Sequence, residues 1–353
     1  MIRLLVVDDS ALMRKLLGQI FGAEGDFEIA FARDGVEAMQ TIADFRPDVV
    51  TLDIQMPNMD GLTCLNRIML EHPCPVVMLS SLTEEGAQAT LEALAIGAVD
   101  VIAKPAGAIS LGIEELTPQL VEKVRTAATV RLRPSSRLAD RLRHGRIAAA
   151  KPGRSLLAQR AASGIRLVMI GTSTGGPPAL DAVLTQLPAD FPAPVIVAQH
   201  MPASFTGALA RRLDKICALE VSEVSGQTKL EAGHIYIAKG DADIVVSERA
   251  GSLVALAAPA DENYRWHPSV DRLVASALKH VPAQAMLGVL MTGMGNDGAT
   301  AMAQLHADGG YTIAESKETA VVWGMPGELV RLDGASEIRR VEEIGARLVE
   351  QVC

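Results

Sequence analysis

A serine set among glycines, a histidine and an aspartate each follow an apolar run in this 353-residue chain. Ile170-Gly171-Thr172-Ser173-Thr174-Gly175-Gly176-Pro177 satisfies the pattern G-x-S-x-G, in which glycines permit a sharp strand-to-helix turn that exposes a serine hydroxyl. Pro177 suits the first helical position, where its missing N–H costs nothing. A plain glycine-rich turn would also explain these residues. A dinucleotide fingerprint would not, because Ser173 occupies the position of its second glycine. A serine needs a base to become a nucleophile. Of the seven histidines, His200 directly follows the run Val195–Ala198, and His267, in Trp266-His267-Pro268, is a second candidate. Met291-Thr292-Gly293-Met294-Gly295-Asn296-Asp297-Gly298 supplies a carboxylate, Asp297, that could orient an imidazole. The competing reading is that Asp297 caps the helix it opens.

A second set of residues speaks of a different chemistry. Asp8, Asp9 and Asp53 follow apolar runs near the amino terminus, and Ser80 and Lys104 follow two more. Three carboxylates gathered at one place repel unless a cation joins them, and a hard ion with oxygen ligands, Mg²⁺ above all, fits that demand. A lysine and a hydroxyl beside them could neutralise and hydrogen-bond a phosphoryl group.

The elements that would position both sets are short strands alternating with helical patterns. Leu4–Val7, Asp48–Leu52, Val76–Leu79 and Val99–Ala103 are apolar runs of strand length in the first part, and Ser10 is a natural helix N-cap. Arg166–Ile170, Val195–Ala198, Leu287–Met291 and Tyr311–Ala314 repeat the pattern in the second. Such alternation implies parallel sheets covered on both faces, hence an α/β class with two doubly wound domains. In an open parallel sheet, residues just past the strand carboxyl ends gather along one edge, where ligands bind. Both chemical sets are made of such residues. The expected division is a first domain over 1–125, a basic connector over 126–163 and a second domain over 164–353. Between Arg125 and Arg166 there are eleven Lys or Arg against one acid, Asp140, with little apolar surface to bury.

Composition narrows the function. A net charge of −9 argues against bulk attraction to nucleic acid. No basic recognition helix is evident after residue 167, which weighs against a DNA-binding output. The first residues run quickly into Asp8 and Asp9 without an apolar stretch of signal-peptide length, and no uncharged stretch reaches membrane-spanning length. A cytoplasmic protein, not inserted in membrane, is expected. The four cysteines are too scattered for a disulfide framework or a zinc site, so reduced thiols are expected.

The motifs resemble known families. Val6-Val7-Asp8-Asp9-Ser10, Leu52-Asp53-Ile54-Gln55-Met56-Pro57, Leu79-Ser80-Ser81 and Lys104-Pro105 are similar to a two-component response-regulator receiver with a flavodoxin-like fold. The resemblance implies that Asp53 accepts a phosphoryl group from a chemotaxis histidine kinase. It implies that Asp8, Asp9, Asp53 and the backbone carbonyl of Gln55 hold Mg²⁺, and that Ser80 and Lys104 read the phosphate. Val101 departs from the Tyr or Phe common three residues before the lysine. Gly171–Pro177, Gln199–Phe205, Tyr236–Ala238, Pro268–Asp271, Thr292–Gly298 and Val322–Gly327 resemble the catalytic domain of the chemotaxis protein-glutamate methylesterases, the CheB family. That resemblance implies Ser173 as nucleophile, His200 as general base and acid, Asp297 as orienting carboxylate, and backbone N–H groups of Thr174 and Met294 as the oxyanion hole. The implied reaction is phosphorylation-activated hydrolysis of glutamate 5-methyl esters, with glutamine deamidation as a related activity, on chemoreceptors (methyl-accepting chemotaxis proteins), without a cofactor for the esterase. The chain order Ser173, His200, Asp297 differs from that of α/β-hydrolases, so an open Rossmann-like sheet is expected instead. Lys239, Asp243 and Trp266-His267 depart from the residues usual in the family. A receiver-controlled transcriptional regulator and a non-enzymatic receptor-binding protein are the competing classes.

Overall fold

Strands buried on both faces must be apolar throughout, and the central strands of this protein are. The computed structural model describes residues 1–81, 83–104, 113–132 and 164–353. It divides into two units, Met1–Arg146 and Ile147–Cys353. Most of the expected connector, 126–163, lies outside the described residues.

The first unit carries five parallel strands, β1 (Ile2–Val7), β2 (Phe27–Ala32), β3 (Val49–Asp53), β4 (Val76–Ser80) and β5 (Asp100–Ala103), in the order β2-β1-β3-β4-β5. This is the flavodoxin-like order, with its switch point between β1 and β3. Leu4, Leu5, Val6 and Val7 are wholly buried, as are Val76, Val77 and Met78. The helix Ala11–Glu24 starts at Ser10, whose hydroxyl accepts from Met13 N as its position suggested, and ends at Gly25 with φ 74°. Asp60 caps the helix Gly61–Glu71 in the same way, accepting from Thr63 N at 2.8 Å. The final helix of the unit, Ile113–Ala128, packs Leu120, Val121 and Val124 into the core against Leu4, Val6 and Phe21.

The second unit is built on seven parallel strands: β6 (Leu167–Thr172), β7 (Val195–Gln199), β8 (Glu220–Val224), β10 (His234–Ala238), β13 (Met286–Leu290), β14 (Tyr311–Glu315) and β15 (Glu337–Arg339). Their order is β15-β14-β13-β6-β7-β10-β8. The chain leaves β6 for β7 on one side and later returns to lay β13 on the other, so the crevice at their carboxyl ends is the natural ligand site. Every residue of β6, β7 and β13 is buried. The helix Gly176–Leu184 covers one face with Leu180, Val183 and Leu184, all fully buried, each contributing about 2 kcal/mol by leaving water. Pro177 is its second residue, not its first; Gly175, at φ 77°, makes the preceding turn. The second position also lacks an intrahelical partner for its N–H, so the proline is tolerated for the same reason.

A small antiparallel sheet, β9 (Gln227–Lys229), β11 (Asp243–Arg249) and β12 (Ser252–Ala258), adds to this unit beyond the expected parallel class. Its hairpin turns at Ala250 and Gly251, both with positive φ, as a tight two-residue turn matching strand twist requires. Among the described residues, no helix is long and apolar enough to cross a membrane.

Candidate functional sites

In the first unit the carboxyl edge of β1, β3, β4 and β5 brings together the side chains of Asp8, Asp9, Asp53 and Lys104, with Ser80 ending the strand beside Lys104. Asp8 is wholly buried, Asp53 nearly so, and Asp9 is exposed. One oxygen from each lies within 4.8 Å of the others. Lys104 Nζ sits 2.8 Å from both Asp8 Oδ2 and Asp53 Oδ2. Burial pushes the Asp53 carboxyl up, reinforced by the Asp8 charge, and this outweighs the downward pull of Lys104. Burial would lower the Lys104 ammonium, but its bonds to Asp53 and Asp8 win and raise it. The cluster is therefore an excess of negative charge, three carboxylates with one lysine bridging two of them. All its donors are hard oxygens with one carboxylate facing solvent, a set that suits a divalent ion of the Mg²⁺ type. Ser80 Oγ points at the carbonyls of Ser81 and Gly86, each at 3.2 Å. Arg14, not anticipated, donates to the carbonyls of Asp8 at 2.7 Å and Asp9 at 3.0 Å, and so stiffens the acidic turn. Val101 is buried in β5. Pro105, beyond Lys104, lies outside the described residues.

In the second unit the three separate chain segments converge. Ser173 continues β6 and His200 continues β7; the preceding residues, Thr172 and Gln199, are register partners across the two strands. The two functional residues are thus neighbours by backbone alone. His200 Nε2 lies 2.8 Å from Asp297 Oδ2. The other ring nitrogen, Nδ1, is buried and makes no hydrogen bond with any described residue. Asp297 does not cap the helix Ala299–Ala307 that it precedes; Gly298 holds that position without a side-chain bond. Its carboxylate instead accepts from Ser269 Oγ at 2.9 Å, Val270 N at 2.7 Å and Asp271 N at 3.1 Å, at the start of the helix Val270–Ala277. Burial alone would push this carboxyl up. The His200 bond and charge, with the two backbone N–H groups, outweigh it and hold the group below the usual carboxylate range. His267 is elsewhere engaged: its Nδ1 is 3.0 Å from Asp243 Oδ1.

The turn around Ser173 is held by residues that sequence reasoning left without a role. Gln199 Nε2 donates to Ser173 O at 3.0 Å. A Cβ on Gly176 would collide with Gln199 Oε1 and Thr172 Oγ1, so this close approach requires glycine. Thr292 is a hub. Its carbonyl accepts from Ser173 N at 2.9 Å, its hydroxyl donates to Thr174 O at 2.8 Å, and its N–H donates to the buried Glu315 at 2.7 Å. Gly293 brings the backbone of the Met291–Gly298 loop against the Ser173 turn: a Cβ there would come within 2.8 Å of Ser173 Cβ. Thr174 and Met294, named for their backbone N–H groups, are both buried here. Thr292 and Ser269 lie inside motifs quoted above. Gln199 opens another of those motifs, and Glu315 could have been found as a charged residue ending a largely apolar strand.

Two family matches agree with these two sites. The response regulator receiver domain family matches residues 4–112, and the CheB methylesterase family matches residues 168–348. The fold and its strand-edge sites define the class: a response regulator whose second unit is an esterase. The chain is 59% identical to protein-glutamate methylesterase/protein-glutamine glutaminase 2 of Rhodopseudomonas palustris, over 99% of this chain and 98% of that protein. It is 52% identical to the enzyme numbered 3 of Rhodospirillum rubrum, over 99% of this chain and 95% of that protein. The crystal structure of the Thermotoga maritima CheB methylesterase catalytic domain superposes with a TM-score of 0.52 at 36% identity, covering 53% of this chain and 99% of that one. The chain belongs to the CheB methylesterase family.

Proposed function

We propose that the protein hydrolyses glutamate 5-methyl esters on bacterial chemoreceptors, and that phosphorylation of Asp53 by a histidine kinase raises its rate. The carrying observation is the convergence of Ser173, His200 and Asp297 at adjoining strand ends in the second sheet. The connector 126–163 then joins a receiver, 1–125, to an esterase, 164–353. Both the acidic edge of the first unit and the resemblance support the regulation, and the enzyme works in the cytoplasm against the receptors' cytoplasmic helices.

Ser173 Oγ attacks the ester carbonyl as His200 takes its proton at Nδ1, the ring nitrogen left over from the Asp297 bond. Negative charge collects on the carbonyl oxygen, where backbone N–H groups of Thr174 and Met294 stabilise it. Collapse breaks the bond to the methoxy oxygen, which takes the proton from His200 and leaves as methanol. Water then attacks the acyl-enzyme and gives His200 a proton, which passes to Ser173 Oγ as the acyl bond breaks and the glutamate carboxyl group is released. A glutamine amide follows the same path and releases ammonia. Asp297 stabilises the imidazolium at both stages. In the receiver, Asp8, Asp9, Asp53 and the Gln55 carbonyl would hold Mg²⁺, which neutralises the carboxylates and orients phosphoryl oxygens. Lys104 and Ser80 would then bind the phosphoryl group on Asp53.

The test is methanol release from methylated receptor membranes, paired with labelling by a fluorophosphonate probe. Ser173→Ala is expected to abolish both, a loss of about 10⁶-fold in rate for a nucleophile removed from such a constellation. Wild-type protein that takes no probe would instead be a receptor-binding scaffold.

A further inference from the structure

The ring of His200 is held at one atom by Asp297, and a single hydrogen bond leaves an imidazole free to pivot about it. A second contact removes that freedom. The Trp266 indole lies parallel to the His200 ring, with centroids 5.3 Å apart and an interplanar angle of 10°. We propose that Trp266 is a positioning residue for the esterase reaction, fixing the plane of His200 so that Nδ1 faces Ser173 and stabilising the imidazolium formed when Ser173 gives up its proton. The inference rests on the esterase reading above.

Two features support it. Trp266 sits on a loop pinned to one wholly buried carboxylate. Asp243 Oδ1 accepts from Ser269 N at 2.9 Å and pairs with His267 Nδ1 at 3.0 Å, while Oδ2 accepts from Asp261 N at 3.2 Å and from Arg272. The pinned residues lie on both sides of Trp266, so the indole is placed by the fold and not by chance collapse. The same loop delivers Ser269 Oγ to Asp297, which ties the placement of the indole to that of the carboxylate. The second feature is chemical. The face of an indole attracts cations, and it already draws the Arg265 guanidinium to 5.1 Å from its centroid. A charge developing on the parallel imidazole meets the same attraction only during reaction, so the effect belongs in kcat.

The experiment compares Trp266→Phe, Trp266→Leu and Trp266→Ala in the full chain, measuring kcat and KM for methanol release from methylated receptor membranes. The rate of fluorophosphonate labelling of Ser173 is read alongside, since that small probe needs the base and not the receptor. Leucine keeps apolar volume without a flat face, so it separates stacking from filling. Trp266→Phe is expected to stay within about 3-fold of wild type. Trp266→Leu and Trp266→Ala are expected to lose roughly 10- to 100-fold in kcat and in labelling rate, with KM changed less than about 2-fold. A rise in KM alone would make Trp266 a receptor contact and overturn the proposal. So would leucine performing as well as phenylalanine. If Ser173→Ala is inactive while Trp266→Leu is unimpaired, only this inference falls. If Ser173→Ala remains active, the esterase reading falls with it.

Discussion

At the carboxyl edge of the first sheet, three carboxylates gather, one lysine bridges two of them, and the third faces solvent. At the same edge of the second sheet, a single carboxylate is enclosed by four donors: His200 Nε2, Ser269 Oγ and the N–H groups of Val270 and Asp271. Both arrangements exploit the place where parallel strands end together. They differ in what is left unbalanced. The first holds surplus negative charge that something from outside must meet. The second is closed around its own charge and keeps its proton traffic internal. One edge is thus suited to receiving a signal and the other to repeating a reaction.

The sharpest way to break this contrast is to remove the proposed acceptor. Asp53→Asn should abolish phosphate incorporation from acetyl phosphate, as should chelation of Mg²⁺, while unstimulated methanol release persists. If chelation also stopped methanol release by the Asp53→Asn enzyme, the two edges would not be chemically separate. Next in size, Asp297→Asn should reduce kcat about 1,000- to 10,000-fold, because an amide can present a donor to His200 and favour the wrong tautomer. A loss of only a few-fold would mean that enclosure by four donors is not what orients the imidazole. Asp243→Ala breaks a buried pairing whose partners Arg272 and His267 are partly solvated, so it should cost about 2–3 kcal/mol in urea unfolding, below the figure for fully buried pairs. The smallest effect concerns thiols. Burial pushes Cys64 and Cys74 in the first unit, and Cys217 in the second, up to about 12. Iodoacetamide at pH 8 should therefore modify the exposed Cys353 first, by mass spectrometry, and reach the others only in denaturant.

Much of this architecture was legible because central parallel strands announce themselves. Leu4–Val7, Val76–Leu79 and Val195–Ala198 are apolar on both faces, and each proved to be a strand at or within a residue or two of the expected bounds. Edge strands do not announce themselves. β2 carries Glu28 and a half-exposed Phe31 at the rim of its sheet, and β8 begins with an exposed glutamate. The β11–β12 hairpin turns through Ala250-Gly251 where Asn-Gly would have signalled it, so its alternation lacked punctuation. Within the sites, residues at strand ends could be named from sequence because one rule gathers them. Thr292, Gln199 and Glu315 act through backbone atoms of distant segments, and no local pattern reports a bond from residue 315 to residue 292. The backbone partners of Asp297 are hidden from local pattern for a related reason. The helix whose N–H groups it receives begins 27 residues earlier in the chain, at Val270, and not at the residue that follows.

Ser173 and His200 inherit their closeness from the pairing of Thr172 with Gln199, deep in a sheet whose strands lie about 4.8 Å apart. Their spacing is consequently a property of the scaffold's lattice. Rim loops can be exchanged, lengthened or recharged over evolutionary time, and the separation of these two backbone positions is carried along unchanged. A designer wishing to transplant this pair would copy two adjoining strands and their register first, and only then the loops that hold the imidazole.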